Sequence, residues 1–207
     1  MSNKNVELSR SQRRRRDDII QAALKIFDRD GFEAAKMADI AKEAEVAKGT
    51  LYLYFDTKVE LLEGVIGDVI IPTLQQIGAV AEDRSGSAKD RLSKQIRITA
   101  QRMASPEMKT LLRHMIASSP NHKRIAQFYF ENVVQKGVAH FKATLEYGVE
   151  TGEFRKSILQ VDPVILVGAP VYTAVWNILF SDQSPLDAEA LADKFLEIVL
   201  TGVMERT

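Results

Sequence analysis

The chain of 207 residues carries 28 Lys and Arg against 28 Asp and Glu, so its formal net charge is zero. With 45% hydrophobic and 27% charged residues, its composition is ordinary for a globular protein of one large domain, or of a small and a medium one. The absence of cysteine excludes disulfides, zinc–thiolate sites and thiol catalysis. The N-terminus has no apolar signal-peptide stretch, so we expect a cytoplasmic protein.

Positive charge is concentrated at the N-terminus. Residues 1–16 contain six basic side chains and one acidic side chain, a local charge of +5. A basic arm of this kind suits contacts with DNA phosphates or the minor groove, and Arg13 and Arg14 are the candidate contacts. The alternative is a solvated leader without a partner.

The first helix is predicted from about Arg13 to Arg29, because apolar side chains recur at spacings of three and four. Gly31 is the expected left-handed residue after its last turn. Phe32 is expected to pack back into a three-helix core.

Residues 37–58, MADIAKEAEVAKGTLYLYFDTK, predict two short helices joined by a tight turn with Val46 between them. The inner, apolar edges are formed by Ile40, Ala41, Ala44, Leu51 and Phe55. The outer face of the second helix is formed by Lys48, Gly49, Thr50, Tyr52 and Tyr54. A short helix that presents lysine, glycine, a hydroxyl and two phenols suits a polyanion, because lysine and tyrosine reach phosphates and glycine lets the backbone approach.

This stretch resembles the tetracycline-repressor (TetR) family of transcriptional regulators, over about Arg13 to Leu62. The most specific matches are Gly31-Phe32, Asp39-Ile40-Ala41, the run from Val46 to Phe55, and Lys58. The resemblance implies an all-α fold of about nine helices. Residues 1–56 would form the basic arm and the helix-turn-helix DNA-binding domain. Residues 57–207 would form a helical effector-binding and dimerisation domain.

Three positions depart from the family pattern. Ala35 and Ala47 stand where Ser or Thr usually caps helices two and three, and a lost cap costs about 1 kcal/mol. Glu45 stands where a turn glycine is common, and a left-handed conformation strains any residue with a Cβ.

Helix four is predicted to begin at a capping box, Thr57 to Glu60, and to kink or end at Pro72. Its inner face would hold Leu62, Val65, Ile66 and Val69. A link of only about two residues joins it to the DNA-reading helix, so its movement would move that helix.

Later helices are marked by recurrent caps. Ser87 would start helix five, and Ser105-Pro106 and Ser119-Pro120 would start the next two. A long helix to about Glu150 would place Phe130, Val134, Gly137, Phe141 and Leu145 along one side. Asp162-Pro163 and Ser184-Pro185 would start helices eight and nine. One face of helix nine would hold Leu191, Phe195, Ile198 and Gly202.

Residues 163–180 carry no charge and are just long enough to span a membrane. Pro170, Asn177 and the flanking acids favour a buried helix of a soluble protein instead, and no membrane association is expected. One layer of neighbours cannot cover a helix that is apolar around most of its circumference. We therefore expect a homodimer with an interface of helices eight and nine, as the family resemblance also implies.

The predicted function is effector-controlled repression at a palindromic operator in double-stranded DNA. Lys48, Tyr52, Tyr54 and Lys58 would mainly hold phosphates, and Gly49 would permit close approach. Thr50, with Lys36 or Lys48, would contact base edges, and Leu53 a thymine methyl group. A two-fold dimer would place its two reading helices about 34–36 Å apart, or a multiple of that distance.

An effector pocket among helices four to eight is implied by the resemblance. The candidate wall residues are Met103, His114, Met115, Phe128, Tyr129, Tyr172, Trp176 and Asn177. Met and aromatic residues at helical spacing are also typical of a plain core. Trp176 and Asn177, adjacent in an apolar helix, are the stronger candidates because they would supply polar groups.

No catalytic residues, cofactor or metal site are predicted. The three histidines lack metal-ligand spacing, and no zinc-protease, nucleophile-elbow or phosphate-loop motif is present. The alternative to a repressor is a dimeric helical ligand-binding or scaffold protein with weakened DNA binding, which Ala35, Glu45 and Ala47 favour.

Overall fold

The computed structural model describes residues 9–118 and 121–204, and over these residues the fold is all-α, as predicted. One isolated bridge joins Phe154 and Met204. The helices are α1 (Arg10–Asp30), α2 (Met37–Glu43), α3 (Lys48–Tyr54), α4 (Lys58–Glu82), α5 (Ala88–Ala104), α6 (Pro106–Ser118), α7 (Lys123–Tyr129), α8 (Gln135–Glu150), α9 (Gly168–Phe180) and α10 (Ala188–Val203). The predicted start at Ser119-Pro120 lies outside the described residues.

Helix α1 begins earlier than predicted, at Arg10. Ser9 caps it by accepting a hydrogen bond from the N–H of Gln12, and the side chain of Gln12 accepts one from the N–H of Ser9. Arg13 and Arg14 therefore lie on the first turns of a helix. Gly31 ends the helix with a φ of 79°, as expected for a residue without a Cβ.

The three positions that depart from the family pattern, Ala35, Glu45 and Ala47, affect the caps of α2 and α3 and the turn between them. The N-cap of α2 is Lys36, so the prediction of Ala35 was one residue early; Ala47 is the N-cap of α3, as predicted. Among the described residues of this region, neither Lys36 nor Ala47 accepts a side-chain hydrogen bond from the first turn of its helix. Glu45 has a φ of 53°, the left-handed conformation that the missing glycine predicted.

Helix α4 runs unbroken from Lys58 through Pro72 to Glu82, so it does not end at the proline. Thr57 caps it, and its hydroxyl oxygen accepts from the N–H of Glu60 at 3.1 Å. The carboxylate of Glu60 accepts from the N–H of Asp56, so the capping box is displaced by one residue. The predicted inner face is buried.

Two apolar clusters hold the helices together. The larger cluster joins α1, α2 and α3 to α4, α6 and α7, so the first three helices share a core with the helices that follow them. The smaller cluster joins α5 and α8 to α10 and includes Phe141 and Phe154.

A π-helical turn, Phe130–Val134, lies between α7 and α8. It inserts an extra residue and rotates the following face relative to the preceding one. The prediction that the side chains from Phe130 to Leu145 share one face of a long helix is therefore wrong at Phe130. Phe130 is 53% exposed, whereas Phe141 and Leu145 are buried.

The C-terminal helices begin later than predicted. A 3-10 turn, Pro163–Val167, is capped by Asp162 and leads into α9. Asp187, and not Ser184-Pro185, caps α10. The predicted face of helix nine is turned partly outward, because Ile198 is 71% exposed while Ala192 and Leu196 are buried.

By length and composition, α4 and residues 163–180 could each cross a membrane. In α4 most of the apolar side chains are packed in the larger core. Only 22% of the 163–180 window is buried in the single chain, so the expectation of a helix buried all round is wrong for an isolated protomer.

Candidate DNA-binding surface and effector cavity

Helix α3 is fixed by its inner edge. Leu51 is fully buried and Phe55 is 5% exposed, and both belong to the larger core with Ile40 of α2. Phe32 packs back against α1 as predicted, with its ring centroid 5.5 Å from that of Phe27. The outer face of α3 is therefore held in a defined orientation.

The outer face of α3 presents the expected mixture of side chains. Lys48 and Gly49 are exposed, Tyr52 is 39% exposed and Leu53 is 73% exposed. The ammonium of Lys48 lies 5.9 Å from the ring centroid of Tyr52, which groups a positive charge with a phenol. Such a surface can contact phosphates and the methyl groups of a DNA groove.

Two candidates on α3 are less accessible. Thr50 is half-buried near the start of the helix. Tyr54 is half-buried and packs against the larger core, so its expected position on the outer face is wrong in part. Position 54 lies one residue before Phe55, at the edge between the inner and outer faces.

Lys58 occupies a structural position that the sequence did not predict. Its ammonium donates to the carbonyl oxygens of Glu33 at 2.8 Å and Ala35 at 3.0 Å, and lies 4.8 Å from the ring centroid of Phe32. Partial burial lowers the pKa of Lys58. The prediction that Lys58 mainly holds a phosphate is therefore corrected. Its ammonium already binds two carbonyl oxygens and joins the start of α4 to the loop between α1 and α2.

The remaining basic candidates lie on the surface. Arg13 and Arg14 of α1 and Lys36 before α2 are exposed. Arg16, counted with the basic arm, instead donates to Asp68 of α4 at 2.8 Å and lies 5.7 Å from the ring centroid of Phe55. The arm therefore contributes one of its arginines to the junction of α1 and α4.

The junction between α3 and α4 is a close contact at Gly64, which sequence reasoning missed. A Cβ on Gly64 would lie 2.7 Å from Cε1 of Phe55, closer than packed atoms approach. Three residues separate Tyr54 from Lys58, close to the expected link of two. The ring of Phe55, the residue that follows α3, thus rests directly on the backbone of α4.

Polar contacts that no local pattern indicates join α6 and the start of α7 to α1, to the α1–α2 loop and to α4. Thr110 and Arg113 both donate to the carboxylate of Asp28 in α1. Arg124 of α7 donates to both carboxylate oxygens of Glu63 in α4, at 2.7 and 2.9 Å. His122 lies 3.1 Å from the carboxylate of Glu33.

A cavity of about 400 Å³ lies between α4, α5, α8 and α9. It is lined by Ile70, Thr73, Leu74, Ile77, Thr99, Arg102, Met103, Leu112, Tyr129, Val133, Val134, Gly137, Val138, Phe141, Val164, Val167, Gly168 and Val171. Two predicted wall residues, Met103 and Tyr129, belong to this lining, and burial raises the pKa of Tyr129 to about 12. The volume and the apolar lining are those of a small-molecule pocket.

Three other candidates are core residues and not cavity walls. His114 and Met115 are buried in the packing of α6, and Phe128 packs against the larger core. The ring centroid of His114 lies 6.3 Å from that of Phe27, and burial lowers the pKa of His114. The alternative of plain packing is correct for these three.

Trp176 and Asn177, the stronger pocket candidates from the sequence, bind the loop between α9 and α10 instead. Trp176 donates from Nε1 to the carbonyl oxygen of Ser184 at 2.6 Å. The amide of Asn177 donates to the carbonyl oxygen of Leu186 and accepts from its N–H. Tyr172 is 55% exposed beside Trp176. Trp176 and Asn177 join α9 to the α9–α10 loop, and none of the three side chains lines the cavity.

Comparison with known protein families agrees with this arrangement. A family model described as bacterial regulatory proteins, tetR family, matches residues 19–65. A second, described as tetracyclin repressor-like, C-terminal domain, matches residues 82–199, more than half of the chain. The protein belongs to the TetR family.

Relatives of this TetR-family chain cover both of its parts. The HTH-type transcriptional regulator YfiR of Bacillus subtilis is 26% identical over 199 residues, which is 90% of this chain and 92% of YfiR. The HTH-type transcriptional repressor KstR of Mycolicibacterium smegmatis is 48% identical over 59 residues, 28% of this chain and 29% of KstR. The structure of FadR from Bacillus subtilis in complex with stearoyl-CoA has a TM-score of 0.73 at 21% identity, covering 90% of this chain and 98% of that chain.

Membership of the TetR family makes this protein a transcriptional regulator and not an enzyme. In residues 9–118 and 121–204, no group of three His, Asp or Glu side chains is placed to hold a metal ion.

Proposed function

We propose that the protein is a homodimeric repressor that binds a palindromic operator through α3 and leaves it when a small molecule enters the cavity. Lys48, Gly49, Tyr52 and Leu53 form the DNA-contacting face, with Thr50 at its edge. Lys36, Arg13 and Arg14 add contacts to the phosphate backbone. A protein with this task acts in the cytoplasm, where the bacterial chromosome lies.

The observation that carries the proposal is the outer face of α3, on which a lysine, a glycine, a phenol and an exposed leucine lie side by side. Leu53, which is 73% exposed on this face, would meet a thymine methyl group when α3 lies in a DNA groove. KstR of Mycolicibacterium smegmatis, which is 48% identical to this chain over 59 residues, bears the name of a repressor.

The cavity supports control by a small molecule. Its walls include α4, and Gly64 of α4 lies against Phe55, the residue that follows α3. A ligand that favours another position of α4 would therefore change the separation of the two reading helices. A differential affinity of about 1–3 kcal/mol gives modest to strong induction. FadR, a protein of the same fold, has been crystallised with stearoyl-CoA.

The experiment is a gel-shift titration with DNA from beside the protein's own gene, at several salt concentrations. If each protomer neutralises about three phosphates, log K falls with log salt with a slope near −5. Lys48→Met is expected to weaken binding and to make the slope shallower by about 1 per lost contact.

Lys142→Met is the matched control. It removes the same charge from α8, where Lys142 pairs with Glu146, far along the chain from α3. Binding that does not depend on salt, or equal effects of the two variants, would refute α3 as the DNA-contacting face.

The second candidate is a helical ligand-binding or scaffold protein with weakened DNA binding. It is favoured by the left-handed Glu45 and by the N-caps of α2 and α3, which lack a capping side chain. No shift with the adjacent DNA at low salt, together with a stable dimer, would support this candidate over the repressor.

A further inference from the structure

The cavity between α4 and α9 has one feature that a plain apolar pocket lacks. Arg102 is the only charged side chain among the described residues that line it. The other polar side chains of the lining are two threonines and Tyr129, whose phenol is neutral at pH 7 and has its pKa raised by burial to about 12.

Arg102 is held in the wall by neutral partners. Its Nε donates to the hydroxyl oxygen of Thr73 at 2.9 Å, and its guanidinium is 3.5 Å from the hydroxyl oxygen of Ser105. No carboxylate of the described residues forms an ion pair with it. This differs from Arg16, Arg97, Arg113 and Arg124, each of which has an acidic partner.

A half-buried cation without a nearby negative charge has lost hydration energy that no ion pair replaces. Burial removes part of the hydration of the guanidinium, and two neutral hydroxyl groups replace it only in part. A guanidinium has five N–H donors in a planar fork that matches a carboxylate or phosphate. An anionic group in the cavity would supply the missing partner.

The part of the cavity away from Arg102 indicates what kind of group a ligand would place there. The lining residues of α4 run from Ile70 to Ile77, about 10 Å along the helix axis at 1.5 Å per residue. Apart from Arg102, Thr73, Thr99 and the phenol of Tyr129, the lining side chains are apolar, including Phe141 and the valines of α9 and the preceding 3-10 turn. Such walls exclude a second charged group and accept a hydrocarbon chain or ring system.

We propose that the effector is an elongated apolar molecule with a single anionic head group, which Arg102 binds. This assignment deepens the proposed function and rests on it, because it names the chemical class of the molecule that enters the same cavity. The anion accepts hydrogen bonds from Arg102, and the apolar part displaces water from the walls formed by α4, α8 and α9.

The test compares three probes of equal chain length by calorimetry with the full-length protein at pH 7.5, below their micelle concentrations: decanoate, decan-1-ol and decylammonium. Decanoate is expected to bind at least about tenfold more tightly than the alcohol, because a charge-assisted bond to arginine is roughly twice as strong as a neutral one. Decylammonium is expected to bind more weakly than either. Equal binding of decanoate and decan-1-ol, or no binding of decanoate, would overturn the assignment.

Arg102→Met tests the residue. The variant keeps the length of the side chain and removes its charge, so the preference for decanoate over decan-1-ol is expected to fall below about threefold while the alcohol still binds. Arg97→Met is the matched control on the same helix, because Arg97 pairs with Asp193 of α10 and does not line the cavity. A preference that survives in Arg102→Met contradicts the proposal.

A second variant covers the case in which Arg102→Met does not fold. Arg102→Lys keeps the charge without the planar fork, and it is expected to retain part of the preference for decanoate. A lysine variant with no preference at all, in a protein whose wild type has one, would contradict binding of the anion by the charge at position 102.

Operator release in the same samples separates this inference from the proposed function. Release of DNA by both decanoate and decan-1-ol would leave effector control standing and refute selection of an anion. Binding of decanoate that depends on Arg102 without release of DNA would leave the ligand class standing and refute induction through this cavity.

Discussion

Glu45 carries a local conflict between residue type and backbone. Its φ of 53° places a side chain with a Cβ in the left-handed region, which costs an L-residue about 1–2 kcal/mol. Its side chain is exposed in the turn between α2 and α3. The turn between these helices therefore stores strain that a glycine would not have.

Glu45→Gly is expected to stabilise the protein by up to about 1 kcal/mol, because relief of strain exceeds the greater freedom that glycine gives the unfolded chain. For a domain of this size, that corresponds to a rise in Tm of about 2–4 °C. Thermal unfolding by circular dichroism measures it. Glu45→Ala is the control: it removes the carboxylate and keeps the Cβ, so it should give no comparable rise. An equal rise in both variants would attribute the effect to charge.

At the same scale, Lys58 and Asn177 show why single residues were misassigned from the sequence. Lys58 was predicted to contact phosphate as part of the helix-turn-helix match, and Asn177 was predicted to line the pocket as a polar residue of an apolar helix. Both instead bind backbone groups of another segment, Lys58 those of Glu33 and Ala35, and Asn177 those of Leu186. A partner 25 residues away leaves no periodic signal, so only coordinates reveal it.

At the scale of helices, the contact between Phe55 and Gly64 connects the end of α3 to α4. A Cβ at Gly64 would be 2.7 Å from Cε1 and 3.1 Å from Cζ of the buried ring. The ring lies between α4 and Arg16, so it has little room to move away. This position therefore sets how α3 is seated on α4.

Gly64→Ala is expected to destabilise the protein by about 1–3 kcal/mol, as overpacking does, and to weaken operator binding by shifting α3. Thermal unfolding and the gel-shift titration measure the two effects. Gly67→Ala, on the same helix, is the control: its Cβ would meet Ile71 at an ordinary 3.6 Å and should stabilise the helix by about 0.5–1 kcal/mol. If both variants behave alike, helix propensity and not the contact with Phe55 governs this position.

The sequence predicted elements well where periodicity is local. The inner edges of α1 to α4 and the caps at Thr57, Ser87 and Ser105 follow from patterns within one or two turns. The π turn at Phe130–Val134 has no such signature, and it rotated the predicted face of the long helix. The cavity follows from packing of distant segments, so only Met103 and Tyr129 of the eight predicted wall residues line it.

At the scale of the whole molecule, one chain leaves an apolar surface uncovered. Tyr172, Leu179 and Phe180 of α9 are 55%, 62% and 41% exposed, and Ile198 of α10 is 71% exposed. A surface of this kind on adjacent helices is typical of an interface. Because α9 also lines the cavity, a partner seated on it would be coupled to the bound ligand.

The dimer prediction is that Leu179→Glu together with Ile198→Glu gives a monomer. Each substitution places a charge on the surface that the second copy would bury, and a buried unpaired charge is strongly unfavourable. Light scattering coupled to size-exclusion chromatography measures the mass, and the gel-shift titration should show weakened binding because one protomer contacts only one half-site.

Ile116→Glu on α6 is the matched control for the dimer prediction. Ile116 is 55% exposed but lies on neither α9 nor α10, so the same change of residue should leave both the mass and the affinity for the operator unchanged. A dimer that persists in the double variant would place the interface on another face. In that case the exposed side chains of α9 and α10 would need another partner, since water alone does not stabilise so large an apolar surface.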